Sequence, residues 1–291
     1  MKSAVHDVIM RRRSVRAFDD RPIEAEVVDA LLDAAANAPS GGNIQPVSVI
    51  LVRDARARER LAAIVGRQPW VANAPLSMVF CLDFHRTKRW ARLFEVDSSL
   101  EDAFQSFLIG YADVVCAAQN VVLVAEDLGL GSVYVGTIQS AIDDAREMLG
   151  TPQQVAPLLV LSLGYPKRIP TGIRKLGARA MAHEERYEDP DDDELREAFD
   201  TKYGAIDEDF ERYLERAYVE LVEAERQGEE AWPRVTRSRA KRLNVASNAQ
   251  FLFELRYPSR ALARGNRRIV ESLGRAGFSM GLGDAGESDE R

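Results

Sequence analysis

The stretch EDAFQSFLIGYADVVCAAQNVVLVAEDLGLGSVYVGT, residues 101–137, does most to decide the fold. Residues 101–128 predict one long helix that is apolar almost all round, and a helix of that kind is buried on most of its sides. It can therefore form the centre of a domain or of a dimer interface. Gly129 predicts the end of the helix, because glycine readily adopts the left-handed conformation of a C-cap. A strand is predicted next, over residues 132–138.

The segments on both sides of this stretch alternate between helical and strand periodicity. After Tyr187 the composition becomes strongly acidic, which predicts a change of organisation. We predict a core over residues 1–187, a helical extension that acts as a lid or dimer arm over 188–281, and a disordered tail over 282–291. Helices are predicted over residues 1–12, 24–38, 54–66, 139–149, 191–200, 207–227 and 261–276, and strands over 47–52, 76–83 and 157–163.

The bulk composition narrows the class of protein. The chain has 291 residues, 46% of them hydrophobic, and a net charge of −7. A sizeable core can form, whereas an acidic balance argues against nucleic acid as a partner. Cys81 and Cys116 lie in apolar runs and are predicted to be buried reduced thiols. With three histidines and no metal-ligand spacing, we expect no metal site.

The sequence also carries no sign of a membrane segment. Its N-terminus, MKSAVHDVIMRRRS, has no apolar core of signal-peptide length. No window reaches 18 uninterrupted apolar residues, which is the length needed for a spanning helix. We therefore expect a soluble cytoplasmic protein without a membrane partner.

Three arginines lie within five residues directly after the first predicted helix, at Arg12, Arg13 and Arg16, with Ser14 between them. Arginine binds phosphate through bidentate, charge-assisted hydrogen bonds. An acidic protein that keeps such a cluster needs an anion or acidic neighbours for it. The alternative is a solvated basic turn with surface salt bridges.

A second cluster, APSGGNIQP at residues 38–46, lies between a predicted helix and a predicted strand. Its two glycines allow the backbone to approach a ligand closely. Ser40, Asn43 and Gln45 supply uncharged donors and acceptors, and Pro39 ends the preceding helix. The alternative is an ordinary connection between a helix and a strand.

Two further segments carry weaker signals. Residues 129–137, GLGSVYVGT, lack the glycine spacing of the dinucleotide fingerprint and predict a helix end, a strand and a backbone bend near Gly136. Arg174 and Lys175 form a basic pair in a loop after Pro170 and Gly172. A plain connection and a solvent-exposed basic pair are the alternatives for these two segments.

The order and spacing of these segments resemble the nitroreductase family, and within it the NADPH-linked nitroreductase and flavin reductase group. The resemblance covers about residues 5–187, and the runs LGYP at 163–166 and HEERY at 183–187 also fit it. The family motifs are R/H-x-S-x-R/K, matched by Arg12 to Arg16; a P-S-x-x-N-x-Q-P-type loop, matched by Pro39 to Pro46; a glutamine before an apolar strand, matched by Gln68; and G-L-G-x-x-Y-I/V-G, matched by Gly129 to Gly136.

The resemblance implies an α+β fold, a three-layer sandwich with a mainly antiparallel sheet between helices and a helical C-terminal extension. It also implies FMN as the cofactor, NADPH or NADH as the electron donor, and a homodimer with the long helix in its interface. The residues that it assigns to FMN are Arg12, Arg13, Ser14, Arg16, Pro39, Ser40, Asn43, Gln45, Gln68, Tyr134, Val135, Gly136, Thr137, Arg174 and Lys175.

Several of these residues receive a specific role from the resemblance. Arg12 would face the phosphate, and Arg16 would lie near N1 and O2 of the flavin, where a cation stabilises the charge that reduction adds. Ser40 and Asn43 would reach FMN across the dimer interface. Gln45 and Gln68 would meet the ring or the ribityl edge, and the backbone of Val135, Gly136 and Thr137 would run beside the ring.

The chain departs from the family pattern at three points. Lys175 takes the place of a phosphate-binding arginine, and Ile173 stands where the family usually has a basic residue. Thr137 replaces a residue that is often glycine, which would narrow the pocket over the ring. The extension after residue 188 aligns poorly, so Arg226 is only a bare candidate for binding NADPH.

The mechanism that the resemblance implies is ping-pong hydride transfer from NAD(P)H through FMN to a small-molecule acceptor such as a nitroaromatic, a quinone or a flavin. The cofactor carries the chemistry, so no side chain is named as catalytic. Two alternatives stay open. The first is a specialised flavoenzyme of the same fold, of the reductive dehalogenase or flavin-modifying type, with Tyr213, Tyr218 or Trp232 folded over the flavin. The second is a non-catalytic flavin-binding redox module with an acidic partner surface.

Overall fold

The computed structural model describes residues 3–204, 247–257 and 259–279. Two short turns, Asn248–Gln250 and the π-helical Phe251–Arg256, precede the last helix. The helices are α1 (Ala4–Arg11), α2 (Ala25–Ala36), α3 (Ala55–Ile64), α4 (Pro69–Asn73), α5 (Phe84–Leu93), α6 (Phe104–Asp127), α7 (Ile142–Leu149), α8 (Asp192–Tyr203) and α9 (Ser259–Arg275), and the strands are β1 (Val47–Val52), β2 (Leu76–Asp83), β3 (Gly131–Val135) and β4 (Val155–Gly164).

The four strands form one antiparallel sheet in the order β1-β2-β4-β3. Every residue of β2 and β4 is buried, because helices cover both faces of the sheet. Alternate side chains of β2 enter different cores, as the pleat requires. Met78 and Phe80 belong to the core on one face, whereas Val79 and Cys81 belong to the core on the other.

The helices form the outer two layers of a sandwich. α2 and α6 pack together on one face of the sheet, and α3, α4 and α7 cover the other. The predicted three-layer α+β sandwich with a mainly antiparallel sheet is therefore confirmed. This arrangement brings the ends of α1, β3 and the turn before α4 into the same unit of the molecule.

The long helix α6 is less buried than its composition predicts. Val114, Ala118 and Val122 lie in the core. Phe104, Leu108 and Val115 are exposed on the opposite side. The expectation that most sides are buried is thus wrong for a single protomer, because only one side of α6 faces the sheet and α2.

By length and composition alone, α6 is also apolar enough to cross a membrane, which a count of uninterrupted apolar residues does not reveal. Core helices of soluble proteins pass the same test. The polar side chains of α6 bond within the fold: Asn120 donates to Ala34 O at 3.1 Å, and Asp113 accepts from Ser40. These contacts are those of a helix packed in a protein core.

Some local predictions need correction. β3 ends at Val135 rather than at residue 138, because the chain turns into a 3-10 helix at Gly136–Ala141. Helices α4 and α5 were not predicted, since one has five residues and the other is rich in basic residues. Cys81 is buried as expected, whereas Cys116 on α6 is only half-buried.

The chain forms two compact units, Met1–Pro170 with Gly265–Arg291, and Thr171–Arg264. In the first unit, the end of α9 packs on α7: Ser272 Oγ donates to Asp143 at 2.7 Å. In the second, a capping box of Asp191 and Glu194 starts α8. The predicted helix 207–227 and the predicted tail 282–291 lie outside the described residues. The boundary at residue 187 and the lid or dimer-arm role of 188–281 stay predictions.

Candidate functional site

The arginine segment lies directly beside β3. After α1 ends at Arg11, Ser14 pairs with Ser132 in a parallel bridge, and Val15 N–H donates to Ser132 O at 3.0 Å. The buried Val15 side chain packs over Gly131, where a Cβ would come within 2.6 Å of the Val15 Cβ. Glycine at position 131 therefore lets the arginine segment approach the strand.

The three guanidinium groups of this segment have different surroundings. Arg13 Nη1 donates to the carbonyls of Met10 and Arg12 at 2.8 and 2.9 Å, so it caps the end of α1. Arg16 lies over Trp70, with Cζ 5.4 Å from the ring centre, a cation–π distance. Among the described residues, no hydrogen bond or ion pair engages the Arg12 guanidinium, which leaves its donors for a ligand.

Tyr134 lies near Arg12 at the end of β3, and Gly136 directly follows the strand. The Tyr134 hydroxyl donates to Gln119 Oε1 at 3.1 Å. Burial raises the pKa of Tyr134 to about 12, and the charge of Arg12 opposes that rise. Gly136 is exposed, and a Cβ built on it would meet nothing within 4 Å. The backbone at the end of β3 thus faces open space beside a cationic segment.

The side chains of Gln68 and Thr137 contact each other close to the same end of β3. Gln68 Nε2 donates to Val65 O at 2.9 Å and to Thr137 Oγ1 at 2.8 Å. Thr137 Oγ1 donates in turn to Val65 O at 2.6 Å. Two positions that are 69 residues apart in the sequence are therefore joined, and Trp70 in α4 follows Gln68 closely enough to reach Arg16.

A buried carboxylate on α6 fixes the loop at residues 39–46. Asp113 on α6 is 6% exposed and accepts from Ser40 Oγ at 2.7 Å and from Gly41 N–H at 3.1 Å. Ser40 Oγ also accepts from Gln45 N–H at 2.8 Å. The predicted ligand Ser40 thus uses its hydroxyl as donor and acceptor inside the protein.

Two other predicted ligands of this loop have unusual backbone angles. Asn43 and Gln45 adopt φ values of 56° and 51°, a left-handed region that non-glycine residues enter at some cost. Both side chains are exposed, as is Pro39. Gln45 Nε2 donates to Ala36 O at 2.8 Å. The bonds of the loop thus lead to α2 and α6, whereas those of the arginine segment lead to α1 and β3.

Arg86 on α5 fastens the far end of this loop to β1. Its Nη2 donates to Gln45 O at 2.7 Å and Val47 O at 2.9 Å, and its Nη1 donates to Ser48 Oγ at 3.0 Å. A cavity of about 410 Å³ opens between the loop, α2 and β1. It is lined by Leu32, Ala35, Ala36, Ala38, Pro39, Ser40, Gln45, Val47, Ser48, Val49, Arg86, Asp113 and Ala117.

Sequence reasoning missed Asp113 and Arg86. Asp113 did leave a signal, since a lone carboxylate in an otherwise apolar helix needs buried hydrogen-bond partners. Arg86 left none, because it binds backbone carbonyls about 40 positions away and any residue type supplies those. Both residues stabilise the conformation of the loop at 39–46 through hydrogen bonds.

The basic pair Arg174 and Lys175 lies in the second unit and is exposed, as is Ile173. The structure therefore leaves the assignment of this pair to a phosphate as a prediction. Arg226, Tyr213, Tyr218 and Trp232 lie outside the described residues. Over the part of the chain that the structure describes, no group of three His, Cys, Asp or Glu side chains is placed to hold a metal ion.

Known proteins that are similar in sequence or in structure support this architecture. A sequence model of the Nitroreductase family matches residues 9–165. The chain is 34% identical to an FMN reductase (NADPH) from Bacillus subtilis, over 64% of this chain and 76% of that protein. It is 35% identical to an oxygen-insensitive NADPH nitroreductase from Salmonella typhimurium, over 67% and 78%. The solved structure of the NfrA1 nitroreductase from B. subtilis aligns with a TM-score of 0.67 and 27% identity, covering 91% of this chain and 98% of that one.

Proposed function

Because the chain belongs to the nitroreductase family, we propose that it is an FMN-dependent oxidoreductase that draws electrons from NADPH or NADH. Its acceptors are electron-poor small molecules such as nitroaromatics, quinones or flavins. The names of two relatives, an FMN reductase and a nitroreductase that both use NADPH, support this donor and these acceptors.

One observation carries the proposal: a cationic segment lies beside an open backbone edge. Arg12 has its guanidinium available and acts on the nearby Tyr134, while Gly136 leaves free space where a side chain would otherwise stand. FMN combines a phosphate, which needs a guanidinium, with a flat ring, which needs a backbone that lets it approach. The residues present fit both requirements.

Each of these residues would have its own task in holding FMN. Arg12 binds the phosphate, with Arg13 and Ser14 shaping the segment. Arg16, fixed over Trp70, stabilises negative charge near N1 and O2 of the ring. When bound, FMN supplies the hydride acceptor at N5, so no side chain of the protein carries the hydride.

The remaining positions extend the site on either side. Gln68, Tyr134, Val135, Gly136 and Thr137 line the ring. The assignment of Arg174 and Lys175 to the phosphate comes from the family resemblance. Ser40 and Asn43 would contribute from a second copy of the chain, with Ser40 acting through the shape of its loop because its hydroxyl is already bonded. Pro39 belongs to the same loop, and Gln45 would meet the ring or the ribityl edge.

We propose that the protein is a cytoplasmic homodimer. α1 packs beside α6, and both helices carry exposed apolar side chains. A contiguous apolar surface of this kind marks a protein interface. The exposed residues are Val5, Ile9 and Met10 on α1 and Phe104, Leu108, Ile109 and Val115 on α6.

Anaerobic stopped-flow absorbance tests the reaction. The purified protein with bound FMN is mixed with NADPH and, separately, with NADH, and free FMN at the same concentration is the control. We expect one nucleotide to bleach the bound flavin much faster than the free flavin, and a quinone or nitroarene to restore the oxidised spectrum. A protein that binds no FMN would overturn the proposal. Bound FMN that neither nucleotide reduces would favour a specialised reaction or a non-catalytic flavin module.

A further inference from the structure

The hydrogen bonds around Gln68 determine which of its polar atoms can meet a ligand. A glutamine amide has two N–H hydrogens and one acceptor oxygen. Both hydrogens of Gln68 are used, one by Val65 O and the other by Thr137 Oγ1. Within the described residues, Oε1 is therefore the only polar atom of the amide that is left for a ligand.

The orientation of this amide follows from its neighbours. Val65 O accepts and cannot donate, so a reversed amide would set two oxygens against each other at hydrogen-bond distance. The single hydrogen of Thr137 Oγ1 goes to the same carbonyl at 2.6 Å. Thr137 can therefore only accept from Gln68, and it keeps the second N–H turned inward.

We propose that Thr137 is a positioning residue that presents Gln68 to FMN as a hydrogen-bond acceptor for the flavin N3–H. This inference rests on the proposed function. On the pyrimidine edge of the oxidised flavin, O2 and O4 accept hydrogen bonds and only N3–H donates. An amide that offers only its oxygen has N3–H as its single partner on that edge.

The neighbouring cation supports the same pairing. Arg16 lies over Trp70, two residues beyond Gln68, and Arg16 can only donate. A donor beside an acceptor matches the adjacent O2 and N3–H of the flavin edge. Thr137, which stands where the family often has glycine, therefore orients Gln68 in addition to narrowing the pocket over the ring.

The test compares the binding of FMN and N3-methyl-FMN to the full-length apoprotein by quenching of flavin fluorescence. The methyl group removes the N3–H, so the wild type should bind FMN about tenfold or more tightly than the analogue, the effect of one good hydrogen bond. Gln68→Ala should remove this preference. Thr137→Ser, which keeps the hydroxyl, should retain it.

Thr137→Val is the decisive variant because valine keeps the shape and loses the hydroxyl. We expect the preference for FMN to fall to about twofold, since the second N–H of Gln68 loses its acceptor and the amide can turn about its remaining bond to Val65 O. A purely steric exclusion of the methyl group would leave the preference unchanged in Thr137→Val, because Gln68 is still present. That result would overturn the role of Thr137.

The wild-type titrations separate this inference from the proposed function. FMN that binds with the same affinity as N3-methyl-FMN would overturn the pairing with N3–H and leave the flavoprotein proposal intact. A preference that appears instead between FMN and its ribityl-deoxy analogues would assign Gln68 to the ribityl chain and also overturn it. Failure of the wild type to bind FMN would overturn both proposals.

Discussion

At the scale of single residues, the hydroxyl of Ser40 donates to Asp113 and accepts from Gln45 N–H, whereas no hydrogen bond or ion pair from the described residues engages the Arg12 guanidinium. Residue type predicted both as ligands, and type alone cannot distinguish them. The difference arises from α6, which brings a carboxylate to Ser40 from 73 positions away. Of these two candidates, Arg12 is therefore the one whose side-chain donors are available to a ligand within the described part of the chain.

Arg12→Ala should weaken FMN binding about 10- to 100-fold, because it removes a charge-assisted contact with the phosphate. Riboflavin, which has no phosphate, should bind equally to both proteins in the same fluorescence titration. Arg11→Ala is the matched control, since Arg11 is exposed and pairs with Glu126 instead. Equal losses of FMN and riboflavin would contradict the assignment of Arg12 to the phosphate.

Asp113→Ala should lower the free energy of unfolding by about 1–3 kcal/mol, because it leaves the Ser40 hydroxyl and Gly41 N–H without their acceptor. Urea denaturation measures this change. Asp127→Ala on the same helix is the control, since Asp127 is 67% exposed and should change stability little. Similar effects of the two variants would show that the loop does not depend on Asp113.

Glu24 provides a pH-dependent contact. Hydrogen bonds from Tyr165 and Arg21 lower its pKa from 4.5 to about 2. A lowered pKa stabilises the folded state above about pH 4.5, and that contribution is lost as the pH falls towards 2. Tyr165→Phe should move the Glu24 titration, followed by NMR, towards its ordinary pKa. An unchanged midpoint would show that Tyr165 is not the main cause.

At the scale of elements, two glycines of the same segment have opposite tasks. Gly131 is required by packing, because Val15 occupies the place of its Cβ. Gly136 faces open space and adopts no left-handed φ. Both glycines belong to one motif in the sequence, and only the arrangement of neighbouring elements separates their roles. Packing against Val15 thus fixes the start of β3, whereas the end of the strand borders open space.

Gly131→Ala should cost about 1–3 kcal/mol of stability, since the new methyl group collides with Val15 and pushes the arginine segment away from β3. Gly136→Ala should leave the melting temperature nearly unchanged and yet weaken FMN binding, because its methyl group enters the space proposed for the ring. Thermal denaturation and FMN titration distinguish the two. Full FMN binding by Gly136→Ala would place the flavin elsewhere.

At the scale of the whole molecule, the exposed apolar side of α6 decides the expected assembly. Leu108→Glu should convert the dimer to a monomer and reduce FMN binding, because a charge cannot be buried unpaired in an apolar interface. Sedimentation velocity gives the oligomeric state. Leu195→Glu is the control, since the two leucines are 52% and 51% exposed and Leu195 lies on α8. A monomeric wild type would contradict the interface.

The sequence by itself determined most element positions and the family, because periodicity and motif spacing are properties that the chain carries without its tertiary neighbours. The layered α+β architecture followed from the resemblance to that family. The sequence also identified the arginine segment and the end of β3 as candidate ligands. Tertiary structure alone decided that Ser40 is engaged by Asp113, that Arg86 secures the loop, and that Thr137 orients Gln68. Each of these is a hydrogen bond between positions about 40 to 73 residues apart, and its partner is chosen by packing.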